Sequence, residues 1–439
     1  MPKMLDSVLA SPRSVVALLL LGAAERIAWL STRSEPSYAI GEAPDIAISL
    51  ARTGAYANAF SPDSGPSAHV LPISPLIAGG VYYLLGVRTP AAETLLAGWS
   101  IGLTLLSFLL LYLIFRELGA SRFSRVAALA IACLLPLNVH LETSNFRVWE
   151  GALATSTGLA YLLMLIRLDR APAIDWRAIV GIALAAGLVF FIAPQLGVAC
   201  YAGAAFLTAR RLPPKRWPGA IVAATAGLAL FLVPWAIRNE QAMGAPIWLR
   251  SNFGLELTLG MNPAAVHTHD PERTFRDRMA EIHPTASDAA LARLKAAGGE
   301  QAYAEALGKR TKAWIAAHPA DAATLALRHL GEMLFPPAWY WSERGSGTIV
   351  KLAVAWICAA LALLWIASIA PRRQPTMVYP ALMVLLPILP YMITQPILRY
   401  RYVIFGLTLF MACDLAARLP VRSAISRRRA PGMTDRQAA

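Results

Sequence analysis

Stretches of mostly apolar residues recur along this 439-residue chain and constrain its fold more than any other feature. A helix needs about 20 such residues to cross the hydrocarbon core of a bilayer. Only 15% of the residues are charged, whereas soluble domains average about 25%. The sequence therefore predicts an all-α polytopic membrane protein and excludes a soluble enzyme. The ten stretches are 14–31, 93–115, 124–141, 148–166, 177–193, 194–209, 219–237, 349–369, 376–394 and 397–417.

Prolines decide how two of the apolar segments are interpreted. Residues 177–209 form one long apolar run, which we divide at Pro194 because proline favours the first turn of a helix. Residues 71–85 are short and contain Pro72 and Pro75. We therefore expect them to form a half-inserted or interfacial helix rather than a full span.

Basic residues cluster in alternate loops and so predict the orientation of the chain. If the N-terminus is cytoplasmic, the cytoplasmic segments contain 20 Lys and Arg residues, within 3–13, 116–125, 167–177, 210–216, 372–373 and 418–436. The short loops on the opposite side contain only Arg147. Cytoplasmic loops of membrane proteins are enriched in Lys and Arg. We therefore predict that both termini are cytoplasmic, and that the net charge of +14 reflects topology rather than a nucleic-acid partner.

Two long segments, 32–92 and 238–348, are then predicted to be external loop regions that carry short amphipathic helices. The predicted organisation is an N-terminal transmembrane module (1–237), an external helical region (238–348), C-terminal transmembrane helices (349–417) and a basic cytoplasmic tail (418–439). The alanine- and arginine-rich composition is typical of a bacterial inner-membrane protein.

Turn and cap residues divide the second external region into helices. Ser287-Asp288 is a helix start, Gly298-Gly299 a break and His318-Pro319 a helix end. Tyr303, Leu307 and Trp314 then share one helix face, which indicates a helix that lies on a membrane surface or on its neighbours.

Three carboxylates are candidates for chemistry at the external face. Glu42 and Asp45 follow the first span with a spacing of three, which would place both on one helix face. Asp45 also suits the alternative role of an acid in the first turn of a helix, and Glu42 that of a solvated loop residue. Glu150 lies where a loop re-enters the membrane, a depth at which an ionisable group usually faces a cavity. The alternative for Glu150 is an ion pair with Arg147.

Basic residues near the same face are candidates for substrate binding. Arg238 and Asn239 end the seventh span, whereas Arg399 and Arg401 open the last one. Arginine side chains also snorkel at helix ends, but together these groups can hold a lipid phosphate. Within the first span, Arg26 either neutralises Glu25 or points into the same external cavity.

A histidine-rich stretch resembles a metal site only in its composition. His267, His269 and Asp270, with His283 nearby, lack the fixed spacing of a metal motif, so we expect a solvated loop. The sequence does not firmly imply any cofactor. A divalent metal is possible, but no motif supports it.

Three motifs resemble the GT-C superfamily of glycosyltransferases that use polyprenyl-phosphate-sugar donors, in particular the bacterial protein-mannosyltransferase-like branch. The first motif runs from Gly41 to Gly86, with Glu42-x-x-Asp45 near its start and Leu71-Pro72-Ile73 later. The second comprises 234–239 and 251–263, and the third is Arg399-Tyr400-Arg401.

The resemblance implies a role for several residues. The acid of the first external loop is the expected general base, which maps to Glu42 first and Asp45 second. Glu150 resembles an acid at the external start of the fourth span. His69 is the nearest substitute for a lysine that precedes the Pro-Pro-Leu element elsewhere in the family.

The predicted function is transfer of a sugar from a polyprenyl-phosphate carrier to an acceptor at the outer face. The acceptor, whether glycan, lipid or protein, is left open. A lipid-linked sugar transporter or flippase would need polar residues across the bilayer midplane in both halves of the chain, whereas here they gather at one face. A glycan ligase is a closely related alternative.

Overall fold

The computed structural model describes residues 12–32, 38–341, 346–372 and 374–418. Within these ranges the regular structure is helical, apart from one isolated bridge between Ala57 and Pro66. The predicted all-α class is therefore confirmed. The orientation argument also used Lys3, Arg373 and the basic residues of 419–436, which lie outside the described residues.

The α-helices are, in chain order, α1 (Pro12–Ser31), α2 (Glu42–Thr53), α3 (Ile73–Leu85), α4 (Pro90–Glu117), α5 (Arg122–Leu134), α6 (Val139–Thr143), α7 (Gly151–Arg170), α8 (Trp176–Ile192), α9 (Pro194–Arg211), α10 (Trp217–Met243), α11 (Phe253–Gly260), α12 (Pro263–Val266), α13 (Pro271–Ile282), α14 (Asp288–Ala296), α15 (Glu300–Ala317), α16 (Pro319–Leu334), α17 (Ser346–Ala367), α18 (Ile369–Arg372), α19 (Val378–Leu385) and α20 (Leu398–Arg418).

Seven helical segments of the described chain are long and apolar enough to cross a membrane. They are α1, α4, α7, α10, α17, the segment Pro375–Met392 that contains α19, and α20. An eighth span results if α5 and Val139–Arg147, which meet at an angle of 71°, are counted as one bent span. The number of spans predicted from the sequence, ten, is thus approximate.

The difference from ten arises at α8 and α9. Pro194 begins α9, as predicted, but α8 has only 17 residues and α9 ends in two arginines. Both helices pack on each other, and α8 also packs along α10. The apolar run 177–209 is therefore a helical hairpin with arms of 17 and 18 residues.

The first external region is a helix pair, α2 and α3, joined by a long loop. Pro72 precedes α3, and the helix predicted for this short apolar segment is present from Ile73 to Leu85. Its Gly79 lies against α2, since a Cβ there would come within 3.2 Å of the Ala47 carbonyl oxygen. This close approach packs the middle of α2 against α3.

The second external region is helical, with the predicted boundaries. Ser287 caps α14 by accepting a hydrogen bond from the Ala290 N–H. Gly298 and Gly299 adopt positive φ angles of 89° and 119° and separate α14 from α15, which ends before His318.

The apolar face of α15 packs on neighbouring helices. Tyr303 and Leu307 are buried in a cluster with Leu255 and Leu259 of α11, and Trp314 packs on the adjoining cluster. Of the two surroundings predicted for this face, the structure shows neighbouring helices.

Two glycines allow α11 and α15 to cross at backbone contact. A Cβ at Gly254 would overlap the carbonyl group of Ala304, and one at Gly308 would lie 2.9 Å from the Gly254 Cα. Because α11 carries Glu256, this crossing also fixes the position of a buried carboxylate.

We expect Gly254→Ala to destabilise the protein, because overpacking of a close contact costs about 1–3 kcal/mol. The measurement is the thermal unfolding midpoint of the purified protein in detergent. Gly331→Ala is the matched control, since Gly331 lies within α16 and has no neighbouring atom within 4 Å of an added Cβ. A Gly254→Ala midpoint equal to that of the control would show that the crossing tolerates a larger separation.

Candidate active site

A cavity of about 230 Å³ opens among the external elements, at the ends of α2, α11, α13 and α20. Its walls combine carboxylates, arginines, histidines and aromatic rings. The lining residues are Gly41, Glu42, His69, Val70, Trp149, Arg250, Asn252, Glu256, Leu259, Phe275, Met279, His283, Thr285, Gln395, Ile397, Arg399 and Tyr400. Segments that are far apart in sequence therefore share one site.

Glu42 is the first residue of α2 and lies at the cavity wall. Gly41 before it has a φ of 100°, and a Cβ at Gly41 would come within 3.3 Å of the Trp149 ring. Glycine is thus the residue that admits both this turn and this contact. The N-terminal end of a helix favours a carboxylate. Glu42 is 8% exposed and faces two imidazole rings.

Two histidines approach Glu42 from different parts of the chain. The Oε1 atom of Glu42 lies 3.4 Å from His283 Nε2 and 4.0 Å from His69 Nε2. Phe60 packs edge-on against both rings, with centroid distances of 5.0 Å to His69 and 6.1 Å to His283. The three polar groups therefore form a compact, buried cluster.

Burial and neighbouring charges act on these groups in opposite directions. Burial raises the pKa of Glu42, but the two histidines and a backbone hydrogen bond outweigh it, so that its pKa lies below 4.5. Burial lowers the pKa of His69 to about 4, and it also lowers the pKa of His283. We therefore infer that at neutral pH Glu42 is ionised and lies beside two neutral imidazole rings.

Arg399 supplies positive charge to the cavity from the start of α20. Its guanidinium lies over the Trp149 ring, 3.7 Å from the centroid. The indole N–H of Trp149 donates to the carbonyl of Ile40, which fixes the ring. Within the described residues Arg399 forms no close ion pair, and its charge acts on the carboxylates of Glu42, Glu150 and Glu256 in and beside the cavity.

Arg250 and Glu150 form an ion pair beside the same cavity. The Arg250 Nη2 donates to Glu150 Oε1 at 2.8 Å, and both side chains are largely buried. The alternative predicted for Glu150, a pair with Arg147, is not formed. Glu150 therefore reaches the cavity through Arg250, which lines it.

Glu256 is a second carboxylate of the cavity. Burial and the charge of Glu42 together raise the pKa of Glu256 to about 7, although Arg399 and Arg250 act to lower it. The sequence predicts no role for Glu256 or Arg250, although both lie in or beside the second motif. It also groups His283 with His267 and His269, which are exposed on a separate turn.

Asp45 lies one helical turn beyond Glu42 and does not line the cavity. Burial raises the pKa of Asp45 to about 6, and the nearby charge of Glu42 adds to this shift. The spacing of three does bring the two carboxylates to one side of α2, but only Glu42 faces the histidines.

Arg238 and Asn239 support the first loop instead of lining the cavity. Arg238 donates to the carbonyls of Tyr56 and, at 2.7 Å, Ser67, and its Nη1 donates to Asn239 Oδ1 at 2.9 Å. Asn239 is fully buried and donates to the Ile247 carbonyl. Arg238 therefore contacts the loop that carries His69, and neither it nor Asn239 lines the cavity.

Arg26 and Arg147 lie in buried ion pairs away from the cavity. Arg26 contacts Glu142 at 2.7 Å and Glu25 at 3.2 Å, so the predicted pair with Glu25 is present but is part of a larger cluster. Arg147 contacts Glu93 at 2.8 Å. Ionised groups in an apolar interior are stable only when paired, which explains both arrangements.

Arg401 is also directed away from the cavity. Its Nε donates to the Met333 carbonyl at 3.1 Å and its Nη2 to the Ala355 carbonyl at 3.2 Å. Arg399 and Arg401 therefore have different environments although they are two residues apart.

Comparison with solved structures identifies the fold. The chain is similar to the oligosaccharyltransferase AglB from Archaeoglobus fulgidus in complex with an inhibitory peptide and a dolichol-phosphate (13% identity, TM-score 0.50), with 92% of this chain and 50% of that chain covered. The structure of the Archaeoglobus fulgidus oligosaccharyltransferase with zinc and sulfate gives a TM-score of 0.52 at 13% identity, with 92% and 48% covered. ArnT from Cupriavidus metallidurans gives a TM-score of 0.37 at 14% identity, with 91% and 77% covered.

The two oligosaccharyltransferase structures confirm the polytopic helical membrane fold that the sequence predicts. The chain spans about half the length of the oligosaccharyltransferase structures that it matches. No family model matches the chain, and no curated protein does. At 13% identity the likeness shows the fold, so the chemistry of the cavity has to be argued from this chain's own residues.

We expect the Arg250–Glu150 pair to be energetically coupled, because both side chains are about four-fifths buried. In a double-mutant cycle with Arg250→Gln and Glu150→Gln, the coupling in unfolding free energy should be about 0.5–3 kcal/mol. The exposed pair Arg273–Asp277, at 3.7 Å, is the control and should give about 0.3–0.5 kcal/mol. Equal coupling in both cycles would contradict a structural role for the cavity pair.

Proposed function

From the GT-C fold and the charges of the cavity, we propose that this protein is a membrane glycosyltransferase that moves a sugar from a polyprenyl-phosphate carrier to an acceptor hydroxyl. The reaction takes place in the cavity at the outer face of a bacterial inner membrane. Both termini are cytoplasmic in this proposal.

One observation carries the proposal: a carboxylate and a guanidinium group line the same cavity from distant parts of the chain. Glu42 lies at the start of α2, whereas Arg399 lies at the start of α20. Transfer of a sugar from a phosphate carrier needs such a pair. The guanidinium stabilises the phosphate anion that leaves, and the carboxylate takes the proton of the acceptor hydroxyl.

The likeness to known structures supports a lipid-linked donor. The matched oligosaccharyltransferase was solved with dolichol-phosphate bound, and dolichol-phosphate belongs to the same chemical class as the proposed donor. In this chain the lipid tail would lie between the apolar helices, with its phosphate at their external ends. Guanidinium groups bind phosphate oxygens through charge-assisted hydrogen bonds.

The bonds of the proposed reaction balance without a general acid. The acceptor oxygen attacks the anomeric carbon, and the bond from that carbon to the phosphate oxygen breaks on the opposite side. The phosphate keeps the bonding electrons, and Arg399 and Arg250 stabilise the charge that develops on it. The acceptor proton passes to a carboxylate of the cavity.

Glu42 is the proposed base. Both Glu42 and Glu256 line the cavity, whereas Asp45 does not, so the geometry favours Glu42 over Asp45. Glu42 is ionised at neutral pH, while Glu256 titrates at about pH 7 and is partly protonated there. An ionised carboxylate is ready to accept the proton, and a protonated Glu256 can donate a hydrogen bond to a sugar oxygen.

We expect Glu42→Gln to lower transfer about 10²–10⁴-fold, the usual contribution of a general base. The measurement is release of polyprenyl phosphate from a defined polyprenyl-phosphate sugar by purified protein. Asp63→Asn is the control, since Asp63 is an exposed acid of the same loop. Near-normal transfer by Glu42→Gln, with the fold intact, would remove Glu42 from this role.

We expect Arg399→Gln to weaken binding of polyprenyl phosphate about 10–100-fold, because a hydrogen bond to a charged group contributes about 1.5–3 kcal/mol. Microscale thermophoresis in detergent would measure the affinity. Arg276→Gln should leave it unchanged, because Arg276 is exposed on α13. Equal affinities for the two variants would place the phosphate elsewhere.

A further inference from the structure

The cluster of Glu42, His69 and His283 has the composition and spacing of a metal site. Each residue offers one ligand atom, and these atoms lie within 4.8 Å of one another. Ligands about 2.0–2.2 Å from an ion stand roughly 3–4 Å apart. The distances of 3.4 Å and 4.0 Å from Glu42 Oε1 to the two Nε2 atoms meet this requirement with at most small side-chain shifts.

A hydrogen bond behind His283 holds its ring in a binding orientation. Its Nδ1 lies 2.7 Å from the hydroxyl oxygen of Thr285. When Nδ1–H donates to that hydroxyl, the lone pair of Nε2 points to Glu42. Histidines that bind metals are usually fixed by such a bond on the other ring nitrogen.

His69 is buried and lacks a hydrogen-bond partner at one ring nitrogen. It is 3% exposed, and within the described residues its Nδ1 has no hydrogen-bond partner, while its Nε2 lies 4.0 Å from Glu42 Oε1. Buried polar atoms normally have a partner, so each exception requires an explanation. A bound ion would provide the partner for Nε2, which faces the cavity.

The loop that carries His69 is held firmly in place. Glu300 accepts hydrogen bonds from the Ser67 hydroxyl at 2.7 Å and from the Ala68 N–H at 2.8 Å, and Arg238 donates to the Ser67 carbonyl. Phe60 packs on both imidazole rings. The three ligands are therefore positioned before any ion arrives, which lowers the cost of binding.

The geometry points to a binding site for one divalent transition-metal ion, such as Zn²⁺, at Glu42, His69 and His283. Two imidazoles and one carboxylate suit such ions. Three protein ligands leave a coordination position open, and all three residues line the cavity, so this position faces the substrate space. A role for the ion near the donor rests on the proposed function, whereas its binding does not.

Metal binding can be measured without any glycosyl donor. The full-length protein, purified in detergent without a polyhistidine tag and stripped with a chelator, would be titrated with Co²⁺ while its visible d–d absorption is recorded. We expect one Co²⁺ per chain, displaced by Zn²⁺. Zn²⁺ should also raise the unfolding midpoint of the wild-type protein by mass action.

Variants assign the binding to the three residues. His69→Ala and His283→Ala should each weaken Co²⁺ binding more than about 100-fold, since loss of an outer-shell partner alone costs about 10–100-fold. The double variant His267→Ala/His269→Ala is the matched control, because both histidines are exposed on the neighbouring turn. It should bind as the wild type does.

Thr285→Val keeps the test decisive if a ligand variant fails to fold. It removes only the hydroxyl bonded to His283 and should weaken binding about 10–100-fold. No saturable Co²⁺ binding by the wild type would overturn the proposal. Loss of binding in the His267/His269 variant alone, or unchanged binding in Thr285→Val and His283→Ala, would also overturn it.

The result separates this inference from the proposed function. Glycosyl transfer that depends on Glu42, by a protein that binds no Co²⁺, would sink the metal site and keep the enzyme. Tight binding of one Co²⁺ by a protein that consumes no polyprenyl-phosphate sugar would do the reverse.

Discussion

The cost of placing a charge in an apolar interior governs this structure. An ionised group that leaves water must be paired or hydrogen-bonded, and the penalty is largest among membrane-spanning helices. Arg26 meets Glu142, and Arg147 meets Glu93, while Asp169 near the other end of the bundle meets Arg210 at 2.8 Å. These contacts join segments distant in sequence and thereby fix the helix arrangement.

In the cavity Arg250 is paired with Glu150, but Arg399 and Glu42 form no Arg–carboxylate ion pair within the described residues. Arg399 lies on the face of Trp149 instead of in an ion pair, and Glu42 faces two imidazole rings. Burial keeps both side chains oriented and out of water, yet each can still bind a group of opposite charge. Groups of this kind can stabilise a leaving phosphate or hold a cation, because neither role requires a protein contact to break first.

The supporting elements explain how the groups that line the cavity are held in place. Arg238 and Glu300 hold the loop before α3 from two sides, and the glycine crossing of α11 and α15 sets the depth of Glu256. Residues that look like ligands in the sequence, Arg238 above all, thus act one step away from the cavity. They position the groups that line it.

The sequence by itself determined the features that depend on local spacing. The length of the apolar stretches predicts the all-α membrane class, Pro194 predicts the division of α8 from α9, and Ser287 predicts the start of α14. Each of these features is encoded within one continuous stretch of the chain. Which charges meet was decided only by tertiary structure. Glu150 pairs with Arg250, 100 residues away, and not with Arg147 three residues before it. Similarly, His283 joins Glu42 instead of its sequence neighbours, because helix packing, rather than distance along the chain, determines which side chains share a buried space.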